Sequence, residues 1–520
     1  MLRPTFLSFE TARNTIAAAQ YGLDTVGHNI SNEHTPGYTR QRVDQVSFAL
    51  NPRGRFSQYG KTLPGMGTDV LGINRIRDPF LDNRYRLEAT NVAELDVLSR
   101  AYKDINTVFD EIKNNGLHDK FDKLIDAFAK LETDYSNSEF KLVIRTEAEQ
   151  IALLMNKYAK DLNGVENHQK EALGSCVLDL NETLKKIAFY NEKIAEQHVY
   201  GNPANELMDE RDLLLDRLAE FTDITITREE VVVSEERSYE KLIIKMNGLG
   251  SNIELVNGKQ YAGFTLDTSG TPASISMTTP YGTSYGDATR LFEKGEIKAY
   301  FDILNGNGTY AAAGENGTRG IPYYREAFNE MAKVFADTMN WVNNGCQVDS
   351  FGDPIIPPIS DTTNLFTYNP LNPAESIRIS DEWRGNLEQL QTHLFENPPP
   401  PDGTGDPRLV LKFKEALGVS LHDFSNGSAG NITGTFQEYF VAFTAQMAQD
   451  QSMSEALLDA GIKVIGGLMD NRDAVSAVSM NEESINMMTY QNYYNAALRY
   501  MTTLDEALNQ LINNMGIVGR

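Results

Sequence analysis

The chain has 520 residues, which at about 100–200 residues per domain predicts roughly three or four domains. Its 47 Lys and Arg residues against 72 Asp and Glu residues give a net charge of −25, which argues against nucleic acid or anionic lipid as a partner of the whole chain. Only two cysteines, Cys176 and Cys346, are present, so the sequence offers neither a disulfide framework nor a thiolate metal cluster.

Neither a membrane segment nor a secretory signal is predicted. The sequence lacks a run of about twenty apolar residues of the kind that crosses a bilayer. The first residues, 1–10, lack the apolar region and the small-residue cleavage site of a signal peptide. We therefore expect a chain that does not insert into membranes.

Apolar residues near the N-terminal end repeat every seven positions. One series consists of Phe9, Ile16, Leu23 and Ile30, and a second one of Ala12, Ala19 and Val26. This a/d spacing predicts a coiled-coil helix. The helix must end before Pro36, because proline disfavours the helical conformation of the residue that precedes it.

The C-terminal end has the same period. Its two series are Met487, Tyr494, Met501, Leu508 and Met515, and Tyr490, Ala497, Leu504, Leu511 and Val518. Ser479 and Glu482 have the spacing of a capping box at the start of this helix. Two such seams at opposite ends of one chain each need a partner, so we predict a stalk in which the two helices pair. The alternative is that both stripes are buried in an ordinary helical core.

The middle of the chain is predicted to be helical with one β segment. Helical periodicity covers residues 87–112, 140–201, 208–221, 291–304, 324–342 and 436–447. Strand patterns lie between residues 223 and 287, with Asn257-Gly258 as a hairpin turn. Cys176 lies beside the apolar stripe of the longest helix and is predicted to be a core residue.

The fold class predicted is mainly α with an inserted β domain, in an elongated multidomain chain. Residues 1–45 and 478–520 form the terminal coiled-coil region, residues 46–222 and 288–477 a long helical bundle, and residues 223–287 a small outer β domain. Because the β domain enters and leaves between helices, we expect its core to be self-contained and replaceable by a short linker.

The turn after the first helix carries a specific motif. It consists of Asn29, Ile30, Asn32, Thr35, Pro36, Gly37 and Tyr38. This motif resembles the N-terminal signature of the bacterial flagellar axial proteins, which include rod, hook and hook-associated proteins. The extension Thr39-Arg40-Gln41 resembles the hook-associated members, and residues 490–520 resemble the closing helix of the family. Residues 31–34 depart slightly, since the family more often has small residues and a second Asn there.

The resemblance implies a structural subunit that joins the hook to the filament. Its assembly signature would be the motif above, and its assembly seam would consist of Phe9, Ile16, Leu23, Ile30, Tyr494, Ala497, Met501, Leu504, Leu508 and Leu511. Implied partners are copies of the chain in a helical ring or tube, the hook protein, the second junction protein and an export chaperone for the C-terminal helix. The resemblance also implies cytoplasmic synthesis, type III export, and a final location at the hook–filament junction.

The remaining alternatives differ in class. A hook or rod protein shares the signature but is mostly β between its ends, unlike this chain. A serine hydrolase could use Ser284 in the G-x-S-x-G motif Gly282–Gly286, but Pro280 and Asp287 favour a β-turn there. An adhesin or a phage-type fibre would not need the turn signature.

The sequence also gives no support for a metal site or a catalytic site outside the G-x-S-x-G motif. His28 and His34 lack metal-ligand spacing and are expected to be exposed or capping residues. We therefore expect no catalytic activity, cofactor or metal, and neither nucleic acid nor membrane as a partner.

Overall fold

The computed structural model describes residues 5–47, 67–109, 116–234, 237–248, 251–270, 272–312, 316–344, 364–392, 408–424 and 433–514. The helices are α1 (Thr5–Ser31), α2 (Pro79–Val108), α3 (Leu117–Leu131), α4 (Ser138–Tyr200), α5 (Asn205–Phe221), α6 (Glu296–Asn305), α7 (Ile321–Asn343), α8 (Pro373–Ser376), α9 (Asp381–Gly385), α10 (Arg408–Gly418), α11 (Phe436–Ser476) and α12 (Met480–Asn514). The strands are β1 (Gln41–Ser47), β2 (Thr68–Arg75), β3 (Ile224–Ser234), β4 (Arg237–Gly248), β5 (Ser251–Asn257), β6 (Gln260–Tyr261), β7 (Gly263–Asp267), β8 (Ser274–Thr278), β9 (Ser284–Tyr285), β10 (Phe366–Thr367), β11 (Arg378–Ile379), β12 (His422–Asp423) and β13 (Thr433–Gly434).

The longest helix, α4, organises the body of the protein. At 1.5 Å per residue its 63 residues span about 95 Å. Asn137 caps its start by accepting a hydrogen bond from the Glu139 N–H, and Gly201 ends it with a φ of 82°. The sequence prediction of one helix over residues 140–201 is confirmed.

Two hydrophobic cores lie along α4. The first half of the helix, with Ile144, Met155 and Leu162, packs with α3, α7, α10 and the start of α11. The second half, with Leu173 and Ile187, packs with α5, α6 and the strands β4, β5, β7 and β8. The prediction of a self-contained core for the β segment is wrong, because its inward-facing side chains complete the core of α4.

The strands of the β segment form two antiparallel sheets, ordered β3-β4-β5-β6 and β7-β8-β9. They lie inside the predicted range 223–287, although its status as a separate domain remains a prediction. The hairpin between β5 and β6 is confirmed, with Asn257 paired to Gln260. Its two central residues are Gly258 and Lys259, one position later than predicted, and Gly258 supplies the positive φ of 60°.

The sequence analysis missed an antiparallel hairpin directly after the signature turn. Strands β1 and β2 pair Gln41 with Arg75 and Val43 with Ile73. The sequence predicts residues 41–45 in the terminal helical region and residues 68–75 in the helical bundle, because these polar strands carry few apolar residues.

Helix α11 extends to Ser476, far beyond the predicted end at residue 447. It packs antiparallel along α2, since Asn106 donates to Gln451 at 2.7 Å whereas the Arg472 guanidinium lies 4.2 Å from the ring centroid of Tyr85. Much apolar surface of its second half is exposed, which explains why the core periodicity stops early.

Candidate functional site

The two terminal helices pair with each other in antiparallel orientation. Asn29 of α1 donates to Glu483 of α12, and Gly22, seven residues before Asn29, lies against the ring of Tyr490, seven residues after Glu483. This register places Leu504 at the level of Ser8. The positions opposite Leu508 and Leu511 fall on residues 1–4, outside the described residues.

The seven-residue series identifies the paired face of α12. Ala497 is buried, and Tyr490, Tyr494, Met501, Leu504 and Leu508 are half-buried, whereas most of their neighbours are exposed. Leu511, at the far end, is 42% exposed.

The paired face of α1 is centred on small residues rather than on the predicted large ones. Ala12, Ala19 and Val26 are buried, whereas Phe9, Ile16, Leu23 and Ile30 are half-buried. Gly22 permits this close approach, because a Cβ atom there would lie 2.5 Å from the Tyr490 ring. A residue that weakens an isolated helix therefore allows the helix pair to form.

Asn29 joins the turn to both helices. Its amide group donates to the Gln41 carbonyl at 2.9 Å and to Glu483 at 3.1 Å. Its oxygen accepts from the Gln41 N–H at 2.9 Å and from the Tyr38 hydroxyl at 2.7 Å. Asn29 is buried, and these four bonds match the usual hydrogen-bonding capacity of an amide side chain.

Arg40 makes the second connection. Its backbone N–H donates to the Ser476 carbonyl at the end of α11, 2.9 Å away. Its guanidinium donates to Glu483 at 2.8 Å and to Glu482 at 2.6 Å, at the start of α12. Glu483 is 1% exposed, so Arg40 and Asn29 together compensate a buried carboxylate.

The other signature residues shape the turn. The Thr35 hydroxyl donates to the Asn32 side chain at 3.1 Å. Pro36 is exposed, and Gly37 has a φ of 78° with the Leu213 side chain where a Cβ atom would lie. The turn thus presents its glycine to α5.

Helix α5 carries a row of carboxylates that holds the turn and hairpin. This acidic row consists of Glu206, Asp209, Asp212 and Asp216, spaced by three or four residues and therefore on one face of the helix. Glu206 accepts from Gln41, and Asp209 accepts from the Thr39 N–H at 3.2 Å.

Four arginines from other elements meet the acidic row. They are Arg75, Arg77, Arg86 and Arg472. Asp212, which is 2% exposed, lies 2.8 Å from the nitrogens of both Arg75 and Arg77. Burial alone would raise the Asp212 pKa, but Arg77, Arg75 and Arg86 outweigh burial and lower it.

This ion-pair network is not predicted from the sequence. The spacing of its carboxylates was a usable signal, but the arginines lie about 130 residues or more away along the chain. Their partners become evident only when the fold brings β2, α2 and α11 onto α5.

The residues considered for catalysis lack the geometry for it. Ser284 lies in a two-residue strand paired with Thr278, and a 3₁₀ turn follows at Thr289, so no strand enters a helix there as a nucleophile elbow requires. Cys176 is buried, as predicted, and burial followed by the nearby Glu296 raises its thiol pKa. Cys346 lies outside the described residues.

The histidines of the turn serve local contacts. His28 Nδ1 lies 2.9 Å from the Tyr38 hydroxyl, and His34 is exposed. Across the described part of the chain, no cluster of His, Cys, Asp and Glu could hold a metal ion.

We expect Asn29→Ala to destabilise the pairing of α1 with α12 by about 3 kcal/mol, because buried groups of Gln41 and Glu483 lose their partner. Hydrogen exchange of α12 in the isolated protein measures this change. Asn32→Ala, at a half-exposed position with local bonds only, is the matched control and should cost less than about 1 kcal/mol. Equal effects of the two substitutions would contradict the role of Asn29.

Comparison with known proteins gives consistent matches. Residues 102–355 match the family model of the flagellar hook-associated protein FlgK helical domain. The chain is 28% identical to flagellar hook-associated protein 1 of Bacillus subtilis (strain 168), over 99% of both chains. It is 22% identical to flagellar hook-associated protein 1 of Salmonella typhimurium, over 96% of this chain and 98% of the relative.

A solved structure supports the fold. The flagellar hook junction protein FlgK from Burkholderia pseudomallei superposes with a TM-score of 0.55, over 76% of this chain and 100% of that chain, at 10% identity. Within the described residues, no helix has the length and apolar character needed to cross a bilayer.

Proposed function

We propose that the chain belongs to the flagellar hook-associated protein 1 family and is the structural subunit that joins the hook to the filament of a bacterial flagellum. The observation that carries the proposal is the end-to-end match to a hook-associated protein 1 over 99% of both chains. The signature turn, the acidic row and the paired terminal helices give this function a physical basis.

In this proposal the terminal helices are the assembly surface. Beside its paired face, α12 exposes Tyr493, Tyr500 and Leu511, which are 56%, 38% and 42% exposed. Tyr493 and Tyr500 are seven residues apart and form a second stripe next to the first one. Burial of one such side chain contributes about 1.5–3 kcal/mol, so a few contacts per copy suffice for a stable polymer.

Helix α11 offers further surface of the same kind. Met453, Leu457 and Val464 are exposed on one side of its contact with α2, and Ile462 and Met469 on the other. Two flanking apolar stripes suit contacts with different neighbours, which are the heterologous contacts that build a ring or tube. We propose that these neighbours are copies of the chain, the hook protein and the second junction protein.

The same surface gives a reason for an export chaperone. Exposed apolar residues of α12 would associate non-specifically in the cytoplasm before assembly, and a chaperone that covers them would prevent this. We propose that the chain is made in the cytoplasm, kept competent in this way, exported by the flagellar type III apparatus and incorporated at the junction.

The alternatives have weaker support. Hook and rod proteins are mostly β between their ends, whereas α4 alone has 63 residues. A hydrolase centred on Ser284 would require a strand–turn–helix that this segment does not form. We therefore propose a packing function and no catalysis.

Deletion of the gene tests the function. We expect cells of the deletion strain to retain hooks, to secrete flagellin into the medium and to lack attached filaments by electron microscopy. Expression of the full chain should restore the filaments, whereas a chain ending at residue 479 should not. Attached filaments in the deletion strain would refute the proposal.

The second stripe of α12 can be tested separately. We expect Tyr493→Ser combined with Tyr500→Ser to leave the melting temperature of the isolated protein nearly unchanged, because both side chains are exposed. Attachment of filaments should be strongly reduced. Tyr261→Ser combined with Tyr285→Ser, at exposed positions of the β segment, is the matched control and should preserve attachment. The same filament count for both double variants would argue against this stripe.

A further inference from the structure

Part of strand β4 has a neighbouring strand on one side only. Strand β5 pairs with β4 from Ile243 to Gly248, and the Gly258 N–H then donates to the Leu242 carbonyl at 3.0 Å. Residues 239–242 of β4 pair with β3 on the opposite side. Within the described residues, the β5 side of residues 239–242 is therefore an open strand edge.

The backbone groups of Glu240 point to this open edge. In an antiparallel ladder the N–H and C=O groups of one residue point to one side, and those of the next residue point to the other side. Because the Leu242 carbonyl points towards Gly258, both backbone groups of Glu240 also point away from β3. An open edge of this kind is a template for a further strand, and a third strand would stabilise the two-stranded part of the β3–β4 ribbon.

The space beside the open edge has the size of one strand. This groove has a volume of about 570 Å³ and is bordered by α4 between Asn191 and Tyr200, by residues 239–242 and by the turn between β5 and β6. Four strand residues span about 13 Å, close to the rise of about 14 Å between Asn191 and Tyr200. Over that length the volume gives a cross-section of about 44 Å², and a strand spacing of about 4.8 Å with a sheet spacing of about 10 Å gives about 48 Å². The groove therefore has room for a single extended segment and not for the sheet of a second copy.

The groove is apolar towards α4 and aromatic at its rim. The buried Leu242 side chain packs in the core along α4, and Ala195 and Val199 line the groove from that helix as half-buried residues. Tyr200 and Tyr281 border it with 73% and 64% of their surface exposed. Side chains of an added strand that point to the Leu242 face would meet apolar surface, so apolar residues are favoured at those positions.

The charges around the groove belong to four carboxylates and two ammonium groups. They are Glu192, Glu196, Glu240 and Glu254, and Lys241 and Lys259. Lys193 and Arg228 form ion pairs with the second and third carboxylates at 2.8 Å and 2.9 Å. The fourth accepts hydrogen bonds from two side chains and lies 3.9 Å from Lys245. Among the described residues, the two ammonium groups have neither a hydrogen bond nor an ion pair, and Lys241 lies on the face opposite Leu242. Acidic side chains are therefore favoured at the positions of an added strand that point to this second face.

We propose that the open edge of β4 binds a short extended segment of another protein as an added β-strand, with apolar residues towards α4 and acidic residues at the positions between them. In antiparallel pairing Glu240 exchanges two backbone hydrogen bonds with the residue opposite it. The groove holds about four residues of the segment. None of its lining residues belongs to α1, α11 or α12, so the site is separate from the proposed assembly surfaces.

Calorimetric titration of the full-length protein tests the proposal with a synthetic heptapeptide that alternates valine with glutamate between two terminal lysines. We expect saturable binding. N-methylation of the central valine should lower the affinity about tenfold or more, because its amide donates to β4 when the valines point towards α4. N-methylation of a neighbouring glutamate is the matched control, since that amide points away from β4, and it should change the affinity by less than about threefold.

A variant of the protein tests the same hydrogen bond. Glu240→Pro removes the amide donor of the open edge and leaves the bonds to β3, which come from the neighbouring residues, so the affinity should fall about tenfold or more. Val232→Pro is the matched control, because Val232 pairs with Ser238 and its amide points to the outer edge of β3. Glu240→Gln keeps the amide and should bind as the unchanged protein does. Circular dichroism melting should be the same for all three variants.

Three results would overturn the proposal: no saturable heat at millimolar peptide concentration, equal effects of the two N-methylations, or equal losses of affinity in Glu240→Pro and Val232→Pro. Self-association of the chain that Glu240→Pro abolishes would assign the edge to a second copy and would also overturn it. The N-methylated peptides test the bond without any change to the protein. Filament attachment should be normal in Glu240→Pro, and its loss would make the groove a contact of the junction itself and contradict a separate partner.

Discussion

Leu504→Asp is expected to abolish filament attachment while the body around α4 remains folded. Leu504 is half-buried on the face of α12 that packs on α1, at the level of Ser8. A carboxylate there would have to be desolvated without a partner, which costs several kcal/mol and exceeds the contribution of a single side-chain contact. The cores along α4 contain no residue of α12, so they should be unaffected.

Two measurements separate pairing from folding. Far-ultraviolet circular dichroism of the purified Leu504→Asp protein should show that it is folded. Hydrogen exchange should show loss of protection in α12. Ile485→Asp is the matched control for pairing, since Ile485 is 59% exposed on the same helix. It should keep α12 protected. Normal filaments in Leu504→Asp cells would show that this seam is not needed for assembly.

Asp212→Asn is expected to destabilise the folded protein by about 3–5 kcal/mol. The asparagine keeps the shape of the side chain but leaves Arg75, Arg77 and Arg86 without the carboxylate that they share. These arginines are largely buried, so water cannot replace the lost charge. The urea midpoint of unfolding, followed by circular dichroism, measures the change.

Asp179→Asn provides the control for this substitution. Its ion pair with Arg217 is about half exposed, and we expect an effect below about 1 kcal/mol.

The same pair of variants tests the pH dependence of the stability. Because the arginines lower the Asp212 pKa in the folded state, its contribution is fully present above the unfolded pKa of about 3.9 and is lost as the pH falls through the folded value. In Asp212→Asn the free energy of unfolding should fall less steeply as the pH is lowered. The same pH dependence of unfolding in this variant and in the unchanged protein would contradict the role of the Asp212 carboxylate.

The sequence predicted elements whose apolar residues repeat along one helix. The helices α1, α4, α7 and α12 were identified because local periodicity of 3.5–3.6 residues encodes which face is covered, whatever covers it. On α12 the same periodicity marks the face that packs on α1, including the buried Ala497, whereas the role of these residues in assembly remains a prediction.

Features that depend on distant partners could not be predicted. The acidic row of α5 is compensated by arginines from three other elements, and β1 pairs with β2 through polar residues that resemble a loop. The close contact between Gly22 and Tyr490 is a further example, because only the fold shows that this ring occupies the space beside the glycine. The β segment looked autonomous because its chain ends adjoin helices, whereas its core is shared with α4.

Electron cryomicroscopy of the intact hook–filament junction would test the central claim most directly. The proposal places this chain between the last hook subunits and the filament, with α1 and α12 in the innermost wall and the stripe of Tyr493 and Tyr500 against a neighbouring copy. The sheets of the β segment should face outward. A junction in which the chain is absent, or in which the α4 body lines the channel while α1 and α12 contact no neighbour, would contradict it.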